Sequence, residues 1–104
     1  MNLQELTQRA IEVRSKYSEL QEEKNGKKWT RAELAQGFVG DVGDLMKLVM
    51  AKEGLREIEN VDAKLKHELG DCLWSILVLA NEYNINLESA FLDTMNELDV
   101  RLGS

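Results

Sequence analysis

Proline is absent from this chain and cysteine occurs once. No low-complexity segment, linker or composition break appears, so residues 1–104 are expected to form one domain. The lone Cys72 excludes a disulfide framework and offers no zinc-ligand spacing; inside an apolar helical run it reads as core. A basic excess is also missing. Thirteen Lys and Arg against 19 Asp and Glu give a net charge of -6 and a pI near 4.8. That argues against a partner such as nucleic acid or an anionic membrane, but not against a small anionic substrate held through a metal cation. No apolar run approaches the ~20 residues that span a bilayer, and Met1-Asn2-Leu3-Gln4-Glu5 lacks a basic-then-apolar signal. The expectation is a soluble, cytoplasmic protein. At this length the core is modest, and a helical fold calls for a partner subunit.

What is present is helical periodicity. Leu3, Leu6, Ala10, Val13, Tyr17 and Leu20 alternate steps of three and four, predicting a first helix from Asn2 to Glu23. After the Lys24–Lys28 loop, Thr30 and Glu33 make a capping box, with Trp29 and Leu34 placed as its hydrophobic staple. The second helix carries Leu34, Phe38, Val42, Leu45, Leu48 and Val49 and ends near Gly54. Its glycines at 37, 40 and 43 lower helicity, which suits a close neighbour or a ligand. Asn60 or Asp62 can cap a third helix running to Tyr83, with Leu65, Leu69, Cys72, Ile76, Ala80 and Tyr83 on its main apolar face. Trp74, Leu77 and Val78 populate its other sides, so a partner chain is expected to pack on Trp74 and Val78. Asn86 caps a fourth helix carrying Leu87, Phe91, Met95, Leu98 and Leu102. Four helices with short connections and no strand pattern predict an all-α, four-helix bundle.

Two acid pairs stand out, Asp41 with Asp44 and Glu68 with Asp71. Residues at i and i+3 share a helix face. Each pair starts within or at the rim of an apolar arc, with Asp44 and Asp71 just beyond it, and an unpaired carboxylate there must be compensated or become neutral. Lys or Arg can supply that compensation, or a divalent cation can. Oxygen-only ligands would select Mg²⁺ or Mn²⁺ over zinc.

Asp41-Val42-Gly43-Asp44-Leu45, followed by Glu68-Leu69-Gly70-Asp71, resembles the acid-x-x-acid then Glu-x-x-Asp signature of MazG-like nucleotide pyrophosphohydrolases, in the all-α NTP pyrophosphatase superfamily. The resemblance extends to Trp29-Thr30, to Cys72-Leu73-Trp74 and to the last helix. It implies a MazG-like bundle, assembled as a homodimer or a dimer of dimers, that hydrolyses a nucleoside triphosphate to monophosphate and pyrophosphate. It also implies Mg²⁺ on Asp41, Asp44, Glu68 and Asp71, with Asp41 or Asp44 as catalytic base.

Two departures bear on activity. The family's first pair is usually Glu, and the shorter Asp pair requires either closer helices, which Gly37, Gly40 and Gly43 would permit, or an altered metal geometry. The family's last helix commonly supplies Lys and Asn for phosphate; the 94–101 stretch here has Arg101 as its only cation. Phosphate contact then falls to Lys27 and Lys28, to Arg101 or to a second subunit, and Trp29 could stack on a base. A chain that binds nucleotide without efficient turnover, or a helical module with salt-bridged acids, are the alternatives. His67 reads as a surface residue, since no Glu-x-x-His di-iron motif is present.

Overall fold

The computed structural model describes residues 1–103. Four helices follow one another: α1 (Leu3–Asn25), α2 (Arg31–Lys52), α3 (Val61–Glu82) and α4 (Leu87–Arg101), and no strand occurs among the described residues. The all-α expectation holds.

The helix ends follow local chemistry. Asn2 and Glu5 form a capping box at α1. This helix runs two residues beyond the expected Glu23, because the stop is Gly26 in the left-handed region (φ 76°), whose N–H donates to the Glu22 carbonyl. The Thr30–Glu33 capping box of α2 is formed as expected, and it holds the Glu33 carboxyl below its usual pKa through hydrogen bonds with Thr30. At α3 the N-cap position belongs to Asn60, but its backbone is left-handed (φ 55°) and its side chain makes no capping bond. Asp62 does not cap either; its Oδ1 lies 2.6 Å from Lys52 Nζ. At α4 the Asn86 side chain accepts the Ser89 N–H.

Helices α2 and α3 form an antiparallel hairpin tied at both ends. Arg31 at the start of α2 meets Glu82 at the end of α3 at 3.8 Å and lies over the Tyr83 ring. The Lys52–Asp62 pair closes the other end. Helix α1 lies against α3, and the core there is Ala10 of α1, Leu34 of α2 and Leu77 and Val78 of α3, with Leu3, Trp74, Leu79 and Leu87 packed around it.

This corrects the expected role of Trp74 and Val78. Val78 is the most buried residue, at 2% exposure, and Trp74 donates its indole N–H to the Ala10 carbonyl at 3.1 Å. Tyr17 meets the same indole edge to face. Both residues therefore serve the intrachain α1–α3 contact, and Val78 has no surface left for a partner chain. The face expected to be the core of α3 is only partly covered: Cys72 is buried and Leu65 and Ala80 are half-buried, but Leu69, Ile76 and Tyr83 are exposed, as is Leu73 beside them. So are Val42, Met46 and Val49 of α2 and Phe91, Leu92 and Leu98 of α4. Helix α4 buries no residue at all. The radius of gyration is 16.5 Å, against about 13 Å for a compact chain of this length.

The glycine expectation is also corrected. A Cβ at Gly40 or Gly43 would meet nothing within 4 Å, so neither glycine serves a close approach between α2 and another helix of this chain. Only at Gly37 would a Cβ meet a neighbour, the Trp29 ring at 3.2 Å.

Candidate metal and nucleotide site

An antiparallel hairpin that sets Arg31 against Glu82 and Lys52 against Asp62 brings Asp41 level with Asp71, and Asp44 level with Glu68. The acid pairs thus meet because of the hairpin register, one pair from each helix. Carboxylate oxygens of Asp41, Asp44 and Glu68 all lie within 4.8 Å of one another. Asp71 stands apart from that trio; its Oδ2 lies 3.1 Å from His67 Nε2, one helical turn away.

The trio is electrostatically uncompensated. Glu68 is half-buried, and its Oε1 is shielded from solvent with no hydrogen-bond partner. Burial raises its pKa, and the neighbouring Asp41, Asp71 and Asp44 carboxylates add to the rise. None of the three acids forms an ion pair with Lys or Arg among the described residues. A hard divalent cation fits this donor set: it is all oxygen, contributed by two helices, and includes one buried oxygen that lacks a donor. Buried Cys72 lies beneath, its thiol pKa raised by burial and by Asp41, Glu68 and Asp71, so it packs as core and is no nucleophile.

The acids form a wall between two clefts. On one side is an aromatic cleft of about 450 Å³, lined by Tyr17, Trp29, Gly37 and Trp74 and reaching Asp41 and Asp71. Trp29 is held there by α1: its N–H donates to Gln21 Oε1 at 3.0 Å, and its carbonyl accepts from Arg14 Nη2 at 2.9 Å. The indole then lies over Gly37, where a larger residue would crowd it. On the other side is a cleft of about 550 Å³ with Leu48, Ile58 and Ala63 in its lining and Lys47, Asn60, Lys64 and His67 beside Asp44 and Glu68.

Of the residues singled out from sequence, Asp41, Asp44 and Glu68 converge, Asp71 flanks them, and Trp29 lines the aromatic cleft. Lys27, Lys28 and Arg101 line neither cleft; Lys28 pairs instead with Glu22 at 3.5 Å, because the α1–α2 loop folds back on the end of α1. Sequence reasoning missed Lys47, Lys64 and the His67–Asp71 pair. The signal was present: Lys47 is three residues after Asp44, Lys64 four before Glu68, and His67 four before Asp71.

The Gene 37 protein of Mycobacterium phage L5 is 32% identical to this chain over 72 residues, which is 65% of this chain and 62% of that protein. The chain therefore spans less than two thirds of the length of that relative. No solved structure matches. The family model described as the MazG nucleotide pyrophosphohydrolase domain matches residues 32–102, which take in both acid pairs, nearly all of α2 and the whole of α3 and α4. By that match the chain belongs to the MazG nucleotide pyrophosphohydrolase family.

Proposed function

We propose that this chain is a Mg²⁺-dependent nucleoside triphosphate pyrophosphohydrolase, with Mn²⁺ as a substitute metal. It would convert (d)NTP and water to (d)NMP and pyrophosphate in nucleotide-pool house-cleaning in the cytoplasm, with residues 1–104 acting as one unit. The observation that carries this reading is the uncompensated trio of Asp41, Asp44 and Glu68 around a buried oxygen that has no donor. Asp41, Asp44 and Glu68 would hold the metal, with Asp71 as the fourth acid once its contact with His67 is released. When bound, the cation neutralises phosphate charge and acidifies a coordinated water.

The chain's own residues would divide the remaining work. The Trp29 face, fixed through Arg14 and Gln21, offers a stacking surface for a base beside the acids. Asp41 or Asp44 takes the proton of the attacking water. The water oxygen bonds to the α-phosphorus, the bond from that phosphorus to the α,β-bridging oxygen breaks, and the electron pair leaves on pyrophosphate.

A second copy of the chain is the proposed cover for the exposed apolar face of α2, α3 and α4, giving a homodimer or a dimer of dimers. Phe91→Asp should shift sedimentation towards the monomer if that is so. A rival reading, a nucleotide binder that turns over poorly, is favoured by one observation: Asp71 is turned to His67 and stands outside the trio. Incubation with a panel of canonical and modified (d)NTPs and Mg²⁺ separates the two. Pyrophosphate release that vanishes in Glu68→Gln supports the enzyme, metal-dependent binding without turnover supports the rival, and neither result would remove the site altogether.

A further inference from the structure

The proposed reaction leaves a polyanion to be placed, and the residues first suited to hold it are elsewhere. Lys28 is committed to Glu22, and neither Lys27 nor Arg101 reaches the acids' two clefts. The cleft beside Asp44 and Glu68 has what the reaction needs. Lys47 comes into it from α2 and Lys64 from α3, and neither forms an ion pair among the described residues. Asn60 stands at the same rim with its side chain free of any capping bond, so the first turn of α3 lines the cleft with its N-terminal amides uncapped. The aromatic cleft opposite has Arg14 as its one cation, and Arg14 is spent on the Trp29 carbonyl.

We propose that Lys47 and Lys64 form the seat of the nucleotide's β,γ-diphosphate, so that the substrate lies across the acid wall with its base in the aromatic cleft and its leaving group between these two lysines. The order of chemistry along the protein is then the order along the substrate: aromatic surface, carboxylate trio, cations. Lysine suits this role because its ammonium is a compact charge on a flexible stem, able to follow the pyrophosphate as it separates. The competing account makes the lysines counter-ions of their helix neighbours Asp44 and Glu68, at i+3 and i−4. That account predicts effects on metal affinity and on stability, and none that depend on the diphosphate.

This inference rests on the proposed function, and its test uses inorganic pyrophosphate, which needs no turnover. Calorimetry at constant Mg²⁺ compares wild type, Lys47→Met/Lys64→Met and Lys47→Arg/Lys64→Arg, each checked by circular dichroism and Mg²⁺ titration. The double Met variant should bind pyrophosphate at least about tenfold more weakly, since each lost charged contact is worth that order, and should bind nucleoside monophosphate within about twofold of wild type. The double Arg variant should recover most of the affinity. Where turnover is present, KM for triphosphate should rise in the Met variant and product inhibition by pyrophosphate should fall. Unchanged pyrophosphate affinity in a folded Met variant, or no pyrophosphate binding by wild type, overturns the proposal. Lysine-dependent pyrophosphate binding without triphosphate hydrolysis would refute the enzyme reading and leave this seat standing; hydrolysis with lysine-independent binding would do the reverse. If the double variant fails to fold, Lys47→Gln and Lys64→Gln singly give the same comparison.

Discussion

Replacing Glu68 with Gln should stabilise the metal-free protein while abolishing its response to Mg²⁺, an inversion that few substitutions at a half-buried acid would produce. Glu68 stands within 4.8 Å of oxygens on both Asp41 and Asp44. At that separation each like-charge pair costs about 0.9 kcal/mol in bulk water and about 3.5 kcal/mol at an effective dielectric of 20. Asp44 is exposed and Asp41 half-buried, so the watery end applies, and the two pairs together cost about 2 kcal/mol. A Gln side chain removes that repulsion and can donate hydrogen bonds to the remaining acids. Thermal unfolding in EDTA should therefore show Glu68→Gln melting roughly 10 °C above wild type. The pH dependence follows. Because the folded-state pKa of Glu68 is raised above its ordinary 4.5, the folded protein binds more protons than the unfolded chain between those two values. Wild-type stability then falls as pH rises through that window and stays low above it, whereas the Gln variant lacks the fall. With Mg²⁺ at a hundred times its dissociation constant, wild type should gain about 2.7 kcal/mol and the variant far less. A Glu68→Gln protein that melts below wild type in EDTA would mean that a cation of the protein already compensates this carboxylate, and the reasoning would fail.

Other predictions probe the scaffold. Val78→Ala should cost about 2 kcal/mol in urea unfolding, because the side chain is buried in the α1–α3 core; an interface role would instead change the oligomer without touching monomer stability. Gly40→Ala should add up to about 1 kcal/mol, since the new methyl meets nothing and helix propensity improves; a loss would reveal a second copy packed closely against α2. The Lys52–Asp62 pair raises the Lys52 pKa and lowers that of Asp62. The stability difference between wild type and Asp62→Asn should hold from about pH 5 to about pH 9. It should fade as acid protonates Asp62 below its ordinary 3.8, and as base deprotonates Lys52 above its ordinary 10.5; a difference that varied within the plateau would point to another partner.

The helices were legible in the sequence because their determinants are local. The Thr30–Glu33 box and the Asn86 cap act within one turn; the stripe announced α1 but not its burial, since Leu6, Tyr17 and Leu20 are exposed and Ser18 is buried. The three-residue spacing of the acids likewise announced that each pair shares a face. What periodicity could not tell is which side of α3 faces this chain. That helix is apolar nearly all round, so periodicity favours the Leu69–Ile76 side for the core and leaves Leu77 and Val78 to other sides, whereas the seating of α1 buries Leu77 and Val78. For phosphate contact the sequence makes Lys27, Lys28 and Arg101 conspicuous, or points to a second subunit. Lys47 and Lys64 were overlooked because each looks like an ordinary helix-surface lysine until the hairpin register sets them beside the same cleft.

That register bears on whether the shorter acids of α2 can work. Aspartate at 41 and 44 reaches one methylene less than the glutamate usual in the family, which calls either for closer helices, as Gly37, Gly40 and Gly43 would permit, or for an altered metal geometry. Gly40 and Gly43 face open space and Gly37 faces the Trp29 ring, so the approach of α3 does not depend on them. The trio converges nonetheless, which places the accommodation on α3, where Glu68 retains its full length and supplies the buried oxygen. The fourth acid bears the consequence: Asp71 lines the aromatic cleft and stays paired with His67, which lines the opposite one. A metal site of this form would lean most heavily on Glu68. Loss of Glu68 should then weaken Mg²⁺ binding more than loss of Asp71, and His67→Ala, by freeing Asp71, should strengthen it. Mg²⁺ titrations of Glu68→Gln, Asp71→Asn and His67→Ala measure that ranking, and an Asp71→Asn defect equal to that of Glu68→Gln would show that all four acids hold the metal equally.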